Sequence, residues 1–331
     1  MRKKGFFIAC SLTFEGTHAI VISHFTPLAS HQEYANQPAF SGLVEITGEA
    51  GSTRRTGSGF LIRPGWVVTA AHVVTGFSGA DLSVGRSNFS HGVRDVFIAP
   101  GWAGGPETGL GQGADLALLR LTEGGMTSAT SLFRGSSLLG SEATVLGTGL
   151  TGTGILGANG AAMRLAGTNM IDRQLTLANG GLLVTDFDDG SRRRNALNAD
   201  TIGRSVYDDG FVPGELSGGV LEQVPFTSDA TATALEVTTA PGDSGGPLLV
   251  FNPAQSRWEL AGVTSWGTNP TLSDGFSRTD SRHGDLAFFT DLRPHHDWIF
   301  STIPEPASTT LLLIAASYFL GFRSRRQTTS G

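Results

Sequence analysis

APGDSGGP, residues 240–247, sets one serine between an aspartate and two glycines, with a proline near each end of the run. Two readings fit it. With 46 glycines in 331 residues, such a turn can arise without function. Alternatively, Ser244 is a nucleophile held on a tight loop. A serine hydroxyl is a poor nucleophile at neutral pH; it needs a base, and the base needs an orienting partner. Eight histidines limit the choice of base. His72 stands in WVVTAAHVV (66–74), where a β-rich run ends in small residues that leave room around an imidazole. Asp115 opens GADLALLRL (113–121), and a carboxylate heading so apolar a run is partly buried and needs a partner such as an imidazole N–H. Acyl transfer develops negative charge on the substrate oxygen, which two backbone N–H groups can hold; those of Gly242 and Ser244 are the candidate oxyanion hole. Gly245 and Gly246 let the chain pass close to its neighbours.

Outward from this loop, residues 40–292 carry many short β-type runs parted by Gly, Asn, Asp and Ser, among them FSGLVEIT, DLALLRL, ATVLGTG, PLLVF and WELAGVTSW. Their spacing predicts an all-β barrel or sandwich. Helical patterning is scarce before 291–303, where one closing helix is expected. Hydrophobic residues at 39% and charged ones at 16% suffice for a real core. The net charge of −6 gives no footprint for nucleic acid. Cys10 is the single cysteine, which leaves the mature chain without disulfides or a thiolate metal cluster. DFDDG (186–190) has Leu197 where a calcium loop of the EF-hand type wants a Glu, so it reads as a solvated acidic turn, with Arg192, Arg193 and Arg194 following in the same loop. No metal and no cofactor is expected.

Both ends look like addresses. Arg2, Lys3 and Lys4 precede a mostly apolar stretch from Gly5 to Phe14, and Thr17-His18-Ala19 suits signal peptidase. Export is expected, with residues 1–19 as signal peptide. A lipoprotein reading through Cys10 leaves too short an apolar stretch. At the other end, Pro304-Glu305-Pro306 is followed by 16 uncharged residues, Ala307 to Phe322, and then by Arg323, Arg325 and Arg326. The terminal arginines keep that end cytoplasmic. The pattern resembles the bacterial PEP-CTERM sorting signal, which implies a membrane helix in 303–331, an exosortase-like processing enzyme and delivery to the outside of a Gram-negative cell. A plain tail anchor is the other reading.

GDSGGP with TAAH upstream resembles the trypsin-like serine proteases, whose chain order His, Asp, Ser is that of His72, Asp115 and Ser244. An α/β-hydrolase would need the order Ser, acid, His and a helix after the serine; His283, His295 and His296 do follow Ser244, but PLLVF reads as a strand. The resemblance covers roughly residues 40–302, after an N-terminal segment 20–39. It implies two six-stranded antiparallel β-barrels, a C-terminal helix and a cleft between the barrels. Ser265, Trp266 and Gly267 of VTSWG resemble the strand lining the substrate cleft, where the serine also bonds the triad aspartate. Thr238 stands where trypsin itself carries a pocket-floor aspartate, and Ala287 aligns as a pocket wall, which implies a preference for uncharged side chains. The interval from Asp115 to Ser244 is longer than the family pattern, implying an insertion around 186–220. Cleavage after Ala19 would expose Ile20-Val21, a new N-terminus able to pair with Asp243. The implied function is an exported serine endopeptidase acting on protein or peptide substrates; the competing reading is a protease fold that binds at the cell surface without catalysis.

Overall fold

The computed structural model describes residues 20–86, 89–104, 112–122, 129–191, 194, 197, 220–221, 231–268 and 281–304. The expected signal peptide, the apolar C-terminal stretch and most of the expected insertion lie outside the described residues. Among those described, no helix is long and apolar enough to cross a membrane.

The strands in chain order begin with β1 (Val21–Ile22), β2 (Leu43–Ala50), β3 (Thr53–Arg63), β4 (Trp66–Thr69), β5 (Leu82–Arg86), β6 (Phe89–Ile98) and β7 (Ala117–Leu121). They continue with β8 (Ser131–Leu132), β9 (Glu142–Gly147), β10 (Leu150–Thr153), β11 (Gly157–Ala162), β12 (Leu165–Met170) and β13 (Arg173–Leu177). Last come β14 (Gly180–Asp186), β15 (Val220–Leu221), β16 (Val237–Thr238), β17 (Pro247–Asn252), β18 (Arg257–Thr268) and β19 (Leu286–Asp291). Helix α1 (Leu28–Ala35) precedes β2, and α2 (Ala71–Val74) follows β4. A 3₁₀ turn, Arg293–His295, leads into the C-terminal helix His296–Thr302.

The order β2-β3-β4-β7-β6-β5 closes a six-stranded barrel. The pairing register puts Val44, Ile46, Leu61, Val67, Val84 and Leu119 on its inner face, all of them buried. Burying each such side chain stabilises the fold by roughly 2–3 kcal/mol. β2 alternates inward Ile46 with the half-exposed Glu45 and Thr47, the period of a strand with one wet face.

The second half departs from the expected second six-stranded barrel. Its strands follow the path β12-β9-β17-β18-β19-β14-β13-β15, with β8 added parallel to β18. The six strands from β12 to β14 curl until their ends meet: Asp172 N donates to Val184 O at 2.9 Å, and Asn169 Nδ2 donates to Asp186 O at 2.8 Å. These isolated bonds, one through an amide side chain, replace the ladder that would close a barrel. The free edge of β14 is taken by β13, and β15 pairs with β13 in turn. The core here includes Val145, Leu165, Leu183, Leu248, Ala261 and Phe289.

Residues 20–39 are woven into this half. β1 lies in a separate four-stranded sheet, β11-β10-β1-β16, parallel to β10 and antiparallel to β16. Ile20 and Val21 are fully buried. From α1, His31 Nδ1 donates to Ala166 O at 3.0 Å, and the Tyr34 hydroxyl bonds Thr144 Oγ1 at 2.7 Å. DFDDG is not a solvated turn: Asp186 and Asp188 are buried, and Asp186 Oδ2 accepts from Leu197 N at 3.1 Å. Asp186 ends β14, whose partner β19 and neighbour Asn169 cover it. Arg194 is likewise engaged, donating to His283 O at 3.1 Å.

Candidate active site

His72 enters through the β3–β4 hairpin. β4 is buried along its whole length, and the small residues Ala70 and Ala71 let the chain turn directly into α2. Arg55, reaching from β3, donates through Nη1 to the carbonyls of His72 (2.7 Å) and Thr75 (3.0 Å). A cation thereby satisfies the carbonyls at the end of this one-turn helix, which have no helical partner.

Asp115 is fully buried just before β7. Its Oδ1 accepts from His72 N at 2.9 Å, and its Oδ2 accepts from His72 Nδ1 at 2.7 Å. Oδ2 also accepts from Ser265 Oγ at 2.5 Å, and the Asp115 carbonyl accepts from Thr290 Oγ1 at 3.1 Å. A carboxylate only accepts, so Nδ1 carries the ring hydrogen and Nε2 keeps its lone pair. The His72 side chain is 23% exposed, so the ring is not sealed off from solvent.

The Ser244 loop is knitted to the same strands. Gly245 N donates to Thr264 O at 2.8 Å, and Thr264 N donates back to Gly246 O at 2.8 Å. Thr264 directly precedes Ser265, the residue bonded to Asp115. On the other side, Ser58 N donates to Ser244 O at 2.7 Å. A Cβ on Gly245 would lie 2.2 Å from Ser58 O and 3.0 Å from Ala70 N, so only glycine lets this loop rest on the approach to α2. A Cβ on Gly57 would likewise be caught between Val73 and Ser244 O. Base, orienter and nucleophile loop thus share one set of strand ends.

Asp243, N-terminal to the serine, is fully buried; its Oδ1 accepts from Gly149 N at 2.9 Å and its Oδ2 from Ala240 N at 2.8 Å. Burial pushes its carboxyl well above the usual range, against the pull of the Ala240 N–H. Gly242 has φ +92°, a conformation that favours glycine. Among the described residues, the N–H groups of Gly242 and Ser244 donate to nothing, whereas those of Asp243, Gly245 and Gly246 are all bonded. Two unspent donors on one loop are what a developing oxyanion requires.

Of the residues expected to bind substrate, Thr238 is buried in β16 opposite Val21. Ser265 is buried and committed to Asp115. Trp266 stacks flat on Phe288, with ring centroids 3.9 Å apart and planes 1° from parallel. Gly267 faces Ala287 in register across β18 and β19. Thr239, which sequence reading passed over, belongs with them: a Cβ on Gly267 would stand 3.9 Å from its Oγ1. Its position directly after Thr238 was the available signal. None of Thr238, Thr239, Gly267 and Ala287 carries a charge. Ser58 was also missed, although it touches the nucleophile loop through both backbone and side chain.

A family model described as Trypsin matches residues 30–180, a span that includes His72 and Asp115 and ends before Ser244. Mouse ovochymase-2 is 42% identical over 62 residues, which is 19% of this chain. The match spans about a tenth of that relative's own length, 10%. The closed barrel, the buried aspartate on the His72 ring and this match make the chain similar to the trypsin-like serine proteases over residues 30–180.

Proposed function

We propose that the chain is an exported serine endopeptidase. The observation that carries this reading is the Asp115 carboxylate, which holds both His72 N and Nδ1 while Ser265 ties it to β18, the strand bonded to the Ser244 loop through Thr264. Ser244 Oγ attacks the scissile carbonyl as His72 Nε2 takes its proton. Asp115 steadies the imidazolium that results. The tetrahedral intermediate places its oxyanion on the N–H groups of Gly242 and Ser244. The intermediate collapses as the leaving amine takes the proton from Nε2, leaving Ser244 acylated. Water then attacks the ester with His72 as base, and the product carboxylic acid departs with Ser244 restored. No cofactor takes part.

The lack of charge at Thr238, Thr239, Gly267 and Ala287 supports a preference for uncharged substrate side chains, because a Lys or Arg would find no ion pair with them. Export through residues 1–19 and attachment through 303–331 rest on the sequence patterns alone. Fluorophosphonate labelling mapped by mass spectrometry tests the reaction. Label is expected on Ser244 and absent from Ser244→Ala, whose hydrolysis rate falls by about 10⁴-fold. A folded wild type that takes no label would instead support the non-catalytic surface-binding reading.

A further inference from the structure

We infer that Ser58 is a positioning residue for the oxyanion hole; the assignment rests on the endopeptidase reading above. The direction of a peptide N–H is set by its own carbonyl, because the trans peptide is planar and the two point opposite ways. No cis peptide occurs among the described residues. Four successive peptides run from Pro241 to Gly245, and each is held by its carbonyl. Pro241 O accepts from Leu150 N at 3.2 Å, and Asp243 O accepts from Gly246 N at 2.7 Å. These two fix the peptides whose N–H groups, on Gly242 and Ser244, face the proposed oxyanion. The other two are both held by Ser58. Its Oγ donates to Gly242 O at 3.0 Å, and its N donates to Ser244 O at 2.7 Å.

Ser58 Oγ is the one side chain among these four restraints, and its bonding is complete. Its single hydrogen goes to Gly242 O, which can only accept. Its lone pairs therefore receive Thr148 Oγ1 at 2.9 Å and Thr148 N at 3.1 Å. Ser58 is fully buried, so no water substitutes for these partners. Its carbonyl accepts from Thr69 Oγ1 at 2.8 Å, anchoring it to the end of β4, three residues before His72. One residue thus references the oxyanion donors to the strand that delivers the base. Without the hydroxyl, the Gly242–Asp243 peptide loses its carbonyl restraint and can rotate, turning the donor on either side away from the oxyanion.

The test is the rate of fluorophosphonate labelling, since the phosphoryl oxygen enters the same hole as a peptide oxyanion. Ser58→Ala is compared with Thr148→Val, which removes a partner of Ser58 but leaves the Ser58–Gly242 bond. Ser58→Ala is expected to label about 10- to 100-fold more slowly than wild type. Thr148→Val should stay within about threefold of wild type, with a fall in melting temperature similar to that of Ser58→Ala. Ser58→Cys, a weaker donor in the same place, should fall between wild type and Ser58→Ala, and carries the test if the alanine variant does not fold. Equal slowing of the serine and threonine variants, or wild-type labelling by the serine variants, would overturn the assignment while leaving the endopeptidase reading intact. A wild type that takes no label would remove both.

Discussion

Replacing Glu236 by glutamine is expected to stabilise this protein, and only above a definite pH. Glu236 precedes β16 and is 1% exposed. Its Oε2 accepts from Thr233 N at 2.7 Å and from Thr233 Oγ1 at 2.6 Å. Burial pushes its pKa up to about 8; the charge of Asp186 pushes the same way, against the Thr233 bonds and the Asp188 N–H. The folded chain therefore keeps a proton that the unfolded chain releases near pH 4.5. This contribution to stability is full below pH 4.5 and is lost as pH rises from there to about 8. Each pH unit in that window costs about 1.4 kcal/mol, so on the order of 3 kcal/mol is gone by pH 7. Glutamine keeps an acceptor for Thr233, puts N–H where the acid carried O–H, and has nothing to ionise. Urea unfolding followed by tryptophan fluorescence at pH 4.5, 6, 7 and 8 would measure it. The gain of Glu236→Gln over wild type should be near zero at pH 4.5 and reach about 3 kcal/mol or more at pH 8. Parallel pH profiles for the two proteins, or a less stable variant at pH 8, would refute the reasoning.

Two other expectations concern the segment that follows Ala19. His24 Nδ1 meets His283 Nε2 at 2.9 Å, and His283 packs on the Phe187 ring. Burial first and His24 next hold His283 down to about 4, against the pull of Asp189 and the backbone at Phe187 and Asp188. The unfolded chain takes that proton first, so stability present above pH 6.5 is lost as pH falls toward 4; thermal melts should show His283→Asn gaining on wild type over that interval. Ile20 directly precedes Val21, which pairs with Gly152 and Thr238 on the strands that follow Gly149 and precede Ala240, whose amides hold Asp243. A chain beginning at Ile20 is expected to label with fluorophosphonate at least tenfold faster than one carrying a single extra residue before it, because a terminal ammonium there neutralises the buried Asp243 carboxylate. Equal rates would exclude an activating role for that terminus.

What the sequence disclosed depends on how local each feature is. His72, Asp115 and Ser244 each sit in a signature a few residues long, and Ser265 was legible for the same reason. The first barrel follows from strands that pair with near neighbours in the chain, such as β2 with β3 and β3 with β4. The second half was harder, because its seam depends on single bonds from Asn169 and Asp172, and no periodicity encodes those. Residues 20–39 read only as an N-terminal segment because a two-residue strand leaves no pattern; the place of β1 is set by its partners Gly152 and Thr238. DFDDG was misjudged because carboxylates suggest water, and nothing nearby in sequence announces Asn169 or Leu197. Ser58 lies in TGSGF, where a small polar residue among glycines looks like mere strand filler.

The placement of β1 has a consequence for the order in which the molecule assembles. Val21 is among the first described residues, yet its strand is completed by Thr238, close to the nucleophile loop. On a chain emerging from its N-terminus, the first barrel can form from contacts within residues 43–121, while Ile20, Val21 and Ile22 wait with their apolar faces uncovered until β16 arrives. Closing so long a loop is slow compared with the local pairings. The strands that flank β1 also lead into the amides holding Asp243, so the shape of the loop bearing Ser244 depends on that late pairing. On the endopeptidase reading, a chain built in this order has no competent site while it is still unfolded and open to cleavage.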